Sequence, residues 1–194
     1  MEESLERQGF DDVNGVKKED SFEKYYNGLK QVIDNLNKNQ VNKILNVLKE
    51  CKLHGGVVYL CGNGGSASTC EHWVNDLMKI GGMKAVSLTN ISVITALGND
   101  ISYDDIFVEQ LKVLMKQGDV VVGISGSGNS MNVVKALKYA CENQGAGVGI
   151  LGFDGGRILD VVDDYVLVRT EDYGFLEDIH LSLGHYFARM LKVC

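Results

Sequence analysis

The stretch Val57-Val58-Tyr59-Leu60-Cys61-Gly62-Asn63-Gly64-Gly65-Ser66 decides the fold. Its first five residues form an unbroken apolar run, as in a strand covered on both faces. Glycines then interrupt the run, and a segment with helical spacing follows. A strand that ends in glycines and turns directly into a helix is suited to an anion. The backbone can come close to the ligand, and the unpaired N–H groups of the first helical turn point at it. The same build recurs later, where the apolar run Val120–Ile124 leads into Ser125-Gly126-Ser127-Gly128-Asn129-Ser130 and then a helix. Two such turns in one chain predict a small phosphorylated ligand held between them.

Outward from these turns the chain alternates. Apolar runs at 57–61, 84–88, 119–124, 147–151 and 164–168 read as buried strands. Helical spacing covers 68–80, 103–115, 130–144 and 175–192, with a shorter helical turn at 91–97. This pattern predicts an α/β fold: a doubly wound, flavodoxin-like sheet of five parallel strands flanked by helices, with right-handed crossovers. Ligands in such sheets sit at the carboxyl ends of the strands, where strand order reverses. Two helices precede the sheet. One is capped by Asp20 or Ser21 and carries Phe22, Tyr25, Tyr26, Leu29, Val32, Ile33 and Leu36. The other is capped by Asn39, carries Val41, Ile44, Leu45, Leu48 and Cys51, and stops at Gly55-Gly56. Residues 1–20 read as an acidic, loosely ordered extension. Residues 21–194 read as one domain.

Composition narrows the function classes. A net charge of −7 over 194 residues argues against nucleic acid or an anionic membrane as partner. It leaves room for a phosphosugar, which one local turn can bind. No apolar stretch reaches the roughly 20 residues of a membrane span. The five cysteines (51, 61, 70, 141 and 194) are odd in number and form no C-x-x-C pair, which fits a reducing, cytoplasmic compartment. With 23 glycines and no proline, the turns rest on Gly, Asn and Asp.

The groups able to do chemistry concentrate on two helices. His72 and Asp76 lie four apart, one above the other on a helix face. They suit a shared metal ion or an acid/base pair, or else a plain solvated pair. The C-terminal helix brings Glu177, Asp178, His180 and His185. At about 100° per residue, Asp178 aligns best with His185, and Glu177 lies about 80° round. Spacing leaves both carboxylates open. His54, before Gly55-Gly56, reads as a helix-end residue. Asn99-Asp100 and Asp104-Asp105 read first as caps of a helix start, and Asp154-Gly155-Gly156 as a turn into a helix. Ser66, Ser125, Ser127 and Ser130, among glycines after strands, read as hydroxyl donors to phosphate.

Cys61-Gly62-Asn63-Gly64-Gly65-Ser66, His72, Gly98-Asn99-Asp100, the Gly123–Ser130 stretch and His180…His185 occur in this order in a known family. Over roughly 22–192 the chain resembles sugar-isomerase (SIS) domains of the phosphoheptose isomerase type. The resemblance implies a homotetramer with active sites at subunit interfaces. It also implies conversion of sedoheptulose 7-phosphate to D-glycero-D-manno-heptose 7-phosphate. By position, Ser66, Ser125, Ser127 and Ser130 match phosphate contacts, with Gly64, Gly65 and Gly126 in the same turns. Asn63 and Asp100 match sugar contacts, and His72 and His185 match zinc-binding histidines.

Two positions depart from the commonest family pattern: Asp76 stands where glutamate is usual, and Glu177 where glutamine is usual. The resemblance selects Glu177 over Asp178. It makes His72, Asp76, Glu177 and His185 the implied zinc shell. Asp76 or Glu177 is then the base and His185 the proton shuttle of an enediolate isomerisation. Proteins with SIS domains also include phosphosugar sensors, a non-catalytic protein that binds a replication initiator, and enzymes of other sugar phosphates. These are the alternative readings.

Overall fold

The computed structural model describes residues 21–193, so the extension 1–20 and the alternative cap Asp20 lie outside the described residues. The five expected strands form one sheet: β1 (Val57–Gly62), β2 (Lys84–Ser87), β3 (Val120–Ser125), β4 (Ala146–Gly152) and β5 (Asp164–Val168). Their order is β2-β1-β3-β4-β5, and every neighbouring pair is parallel. From β1 the chain crosses to one side for β2, then returns to the other side for β3. The order therefore reverses between β1 and β3, which carry the two glycine turns at their carboxyl ends. Gly62 pairs in register with Ile124, so the two turns lie side by side.

Among the described residues the sheet is accompanied by seven α-helices: α1 (Phe22–Asp34), α2 (Lys38–Leu53), α3 (Gly65–Lys79), α4 (Ile91–Asp100), α5 (Val108–Leu114), α6 (Met131–Glu142) and α7 (Tyr173–Lys192). Successive strand side chains point to opposite faces. Val58, Leu60, Val122, Ile124 and Ile150 meet α2, α3 and α7 through Ile44, Leu48, Trp73, Leu77, Leu176 and Phe187. Tyr59, Cys61, Val121 and Leu151 face the opposite layer, with Phe107 at the N-cap of α5, Leu111 within it, and Val133 and Leu137 from α6. At Gly123 a Cβ would lie 2.6 Å from Val133 and 2.7 Å from Leu137, so this strand residue admits α6 close to the sheet.

Local chemistry sets the helix ends. Ser21 caps α1 by accepting from the Lys24 N–H. The cap of α2 is Asn37 rather than Asn39, because its Oδ1 accepts from the N–H groups of both Asn39 and Gln40. Helix α3 starts at Gly65, three residues before the apolar periodicity begins. Helix α4 extends beyond 97 to Asp100, so Asn99 and Asp100 close a helix instead of flanking the start of the next. The expected helix 103–115 is split into a 3₁₀ turn at Tyr103–Asp105 and the short α5. Asp105 accepts from Lys135 Nζ at 2.8 Å and from the Ser102 hydroxyl, tying that turn to α6. No helix among the described residues is long and apolar enough to cross a membrane.

Candidate active site at the reversal of strand order

The first turn presents the start of α3 as an anion site. Gly64 occupies the N-cap with φ 54°, and no side chain caps the helix. Its carbonyl accepts from Ala67 and Ser68, and the N–H groups of Gly65 and Ser66 are first-turn donors that the helix itself does not use. The second turn is held from within. The Ser125 hydroxyl accepts from the Gly128 N–H and the Ser127 hydroxyl from that of Asn129. Both serines keep their own O–H to donate. Gly128 has φ +64°, and its Cα meets the Gly155 carbonyl so closely that no Cβ fits. Its carbonyl accepts from Ile158 in the 3₁₀ turn Gly156–Asp160, which begins after Asp154-Gly155 as expected. Ser130 caps α6 without a side-chain hydrogen bond, so its hydroxyl too is uncommitted.

Between the turns lies a cavity of about 170 Å³ lined by Asn63, Ser66, Ile124, Ser125, Gly126, Ser127, Ser130, Tyr173 and Glu177. It is smaller than the roughly 300 Å³ at which drug-sized ligand sites begin. That volume suits the anionic end of a small ligand. Among the described residues no lysine or arginine lines it, so what it offers an anion is hydroxyls and the N-termini of α3 and α6, with the Glu177 carboxylate also in the lining.

Asp76 is buried on α3, and its Oδ1 accepts from Asn75 Nδ2 at 3.0 Å. Its Oδ2 lies 2.7 Å from His185 Nδ1 on α7 and 3.7 Å from His72 Nε2. The two imidazoles meet edge to face, with centroids 4.9 Å apart. One donor atom from each of the three residues falls within 4.8 Å of the others. Two imidazoles and one carboxylate fit a zinc-type site that keeps an open coordination position. Glu177 does not join the three. Its carboxylate lies over Gly65 at the start of α3, where it lines the cavity. Asp178, the alternative that spacing allowed, turns away to accept from the Tyr25 hydroxyl at 2.9 Å.

The remaining sequence candidates separate in the same way. Asp100 is exposed at the end of α4, its carboxylate accepting from Asn99, and does not line the cavity. His180 is buried with Nε2 at 3.3 Å from the Leu151 carbonyl, and burial holds it at about 4, uncharged. His54 closes α2 beside the Glu50 carbonyl, as expected for a helix end. Burial pushes the Cys61 thiol up to about 12, so the cysteine before the first turn is no nucleophile. Sequence reasoning missed Tyr173, which lines the cavity. It also missed Asn132 and Tyr103, which hydrogen-bond Asn63. The one available signal was the position of Asn132, two residues beyond the serine turn.

Sheet order, paired turns and the cluster bridging α3 and α7 together define a sugar-isomerase architecture. The family profile of the SIS domain matches residues 22–152, and the chain belongs to that family, within its phosphoheptose isomerase type. Among relatives, the phosphoheptose isomerase of Geobacter sulfurreducens is 37% identical over 172 residues, 84% of this chain and 91% of that protein. That of Clostridium acetobutylicum is 38% identical over 152 residues, 75% of this chain and 78% of the relative. The structure of phosphoheptose isomerase from Neisseria gonorrhoeae superposes with a TM-score of 0.79 at 31% identity, covering 86% of this chain and 95% of that one. The Francisella tularensis enzyme gives 0.82 at 23% identity, covering 89% and 96%, a likeness of fold. The chain is an enzyme, a sugar-phosphate isomerase.

Proposed function

We propose that the enzyme converts sedoheptulose 7-phosphate to D-glycero-D-manno-heptose 7-phosphate in the cytoplasm, as a homotetramer with sites at subunit interfaces. The observation that carries this reading is the cavity in which four serines, two helix N-termini and the Glu177 carboxylate converge. Phosphate binds to the hydroxyls of Ser66, Ser125, Ser127 and Ser130 and to the backbone of Gly64, Gly65 and Gly126. Anchoring the far end of the sugar holds the reacting carbons in place. Asn63 contacts the sugar. Asp100, outside the single-chain cavity, is assigned to sugar contact in the assembled oligomer.

Glu177 is the better base of the two carboxylates, because it faces the cavity while both oxygens of Asp76 are engaged. It removes the proton from C1 of the ketose and delivers it to C2. Nε2 of His185, the ring nitrogen not turned to Asp76, moves the hydroxyl proton from O1 to O2. C1 ends as the aldehyde and C2 as the carbinol, with no net change in atoms or electrons. His72, Asp76 and His185 are the residues that would hold a zinc ion. When bound it polarises the substrate carbonyl as a Lewis acid.

The test is NMR of sedoheptulose 7-phosphate with the protein in deuterated water, with and without a chelator. A new aldose carrying deuterium at C2, lost on chelation, is the expected result. No aldose with fresh metal-loaded protein overturns the substrate assignment. A Glu177→Gln variant that keeps full turnover overturns the choice of base.

A further inference from the structure

Asn63 has little freedom to choose what it offers a ligand. The Val133 N–H can only donate, and it is shared between the Ser130 carbonyl at 3.0 Å and the Asn132 side chain at 2.9 Å; an amide NH2 facing it would set donor against donor, so the atom facing it is Oδ1. That choice turns Asn132 Nδ2 toward Asn63, where it donates to Oδ1 at 2.9 Å. Asn63 Nδ2 donates back to Asn132 Oδ1 at 3.0 Å. The Tyr103 hydroxyl donates to the same Asn63 Oδ1, also at 2.9 Å. Both acceptor positions of Asn63 Oδ1 are then filled, and one of its two N–H groups is used. What remains is a single N–H on a residue that lines the cavity.

We propose that Asn132, supported by Tyr103, is a positioning residue that fixes Asn63 as a hydrogen-bond donor, aimed at an oxygen of the substrate that gains negative charge during proton transfer. The assignment rests on the isomerase reading above. Asn132 is 2% exposed at the first turn of α6, so its amide is held by the fold. It joins the turn after β1 to the helix after β3 across the reversal point. Tyr103, in the 3₁₀ turn after α4, extends the tie to a third element. A preset donor needs no reorganisation when charge develops, which is the condition for stabilising it.

The test uses Asn132→Asp, which keeps the acceptor for Val133 and Asn63 but loses the donor to Asn63 Oδ1. A carboxylate is also tolerated at a helix N-terminus. The expected result with sedoheptulose 7-phosphate is a fall of roughly tenfold or more in kcat, with the competitive inhibition constant of inorganic phosphate unchanged. Tyr103→Phe, at an exposed site, should give a smaller fall in the same direction. Combining Asn132→Asp with Asn63→Ala should cost no more than Asn63→Ala alone. Additive losses, or variants within twofold of the parent in kcat, overturn the assignment. A readout independent of turnover is the Asn63 side-chain amide in a ¹⁵N spectrum, identified by its loss in Asn63→Ala. It should shift on adding the sugar phosphate to the parent and not to Asn132→Asp. Parent protein that shifts this signal without turnover defeats the isomerase reading alone. A signal that shifts equally in Asn132→Asp defeats this one.

Discussion

His180 shows how burial assigns a residue. Its ordinary value of 6.5 falls to about 4 because the imidazolium would have to leave water, with only the Leu151 carbonyl as partner. Between these values the unfolded chain binds a proton that the folded chain refuses. Its stabilising contribution is therefore complete above about pH 6.5 and lost as the pH falls towards 4, about 3 kcal/mol in all. Melting temperature measured from pH 7 to 4.5 in chelator should drop across that window, and His180→Gln should flatten the slope. An unchanged slope would refute it. Asp76 works differently, as the oxygen centre between two imidazoles. Asp76→Ala should abolish stoichiometric zinc binding by calorimetry and reduce turnover at least a hundredfold, on the order seen when a charge-stabilising group is lost. These roles were half legible. Spacing paired His72 with Asp76 and the family resemblance pointed to His185 and Glu177, but only packing showed the physical reason: His180 is buried and Asp178 turns to the Tyr25 hydroxyl.

At the scale of elements, the site depends on how closely α3 and α7 approach. Gly184 permits it: a Cβ there would run into the Trp73 indole, whose Nε1 donates to the His180 carbonyl at 3.0 Å. Trp73 follows His72, and Gly184 precedes His185, so the contact sets the distance between the donors on the two helices. Gly184→Ala should destabilise the fold by about 1–3 kcal/mol, the usual cost of overpacking. It should also weaken zinc binding, although it touches no donor. Denaturant titration and calorimetry check both, and unaltered zinc affinity would sever the link. Helix starts were less legible than helix bodies. Residues 65–68, Gly-Ser-Ala-Ser, carry no apolar rhythm, yet they form the turn of α3 that faces the cavity. The anion site sits where periodicity is silent because its N–H groups must stay unpaired.

For the molecule as a whole, α1 and α4 leave apolar side chains in water. Neither helix buries a residue fully, while Phe22, Tyr26, Ile91 and Ile101 stand exposed. The proposed homotetramer gives these faces a partner, since exposed apolar patches are among the places where protein–protein contacts form. Light scattering should show an oligomer, and Ile91→Glu should shift it to lower mass and cut turnover, since a charge in an apolar interface goes unpaired. A variant of lower mass with full turnover would show that each chain is complete alone.

The amino-acid sequence by itself determined the α/β class, the count of strands, both glycine turns and the carriers of the titratable groups. These are local properties, written as period, glycine placement and capping chemistry. Only the tertiary structure decided that Glu177 belongs with the serines rather than with the histidines. It alone brought Asn132 and Tyr103 to Asn63, across 69 and 40 residues of chain. Those choices depend on the depth at which α7 packs on α3 and on the register of β1 against β3, which no local pattern records.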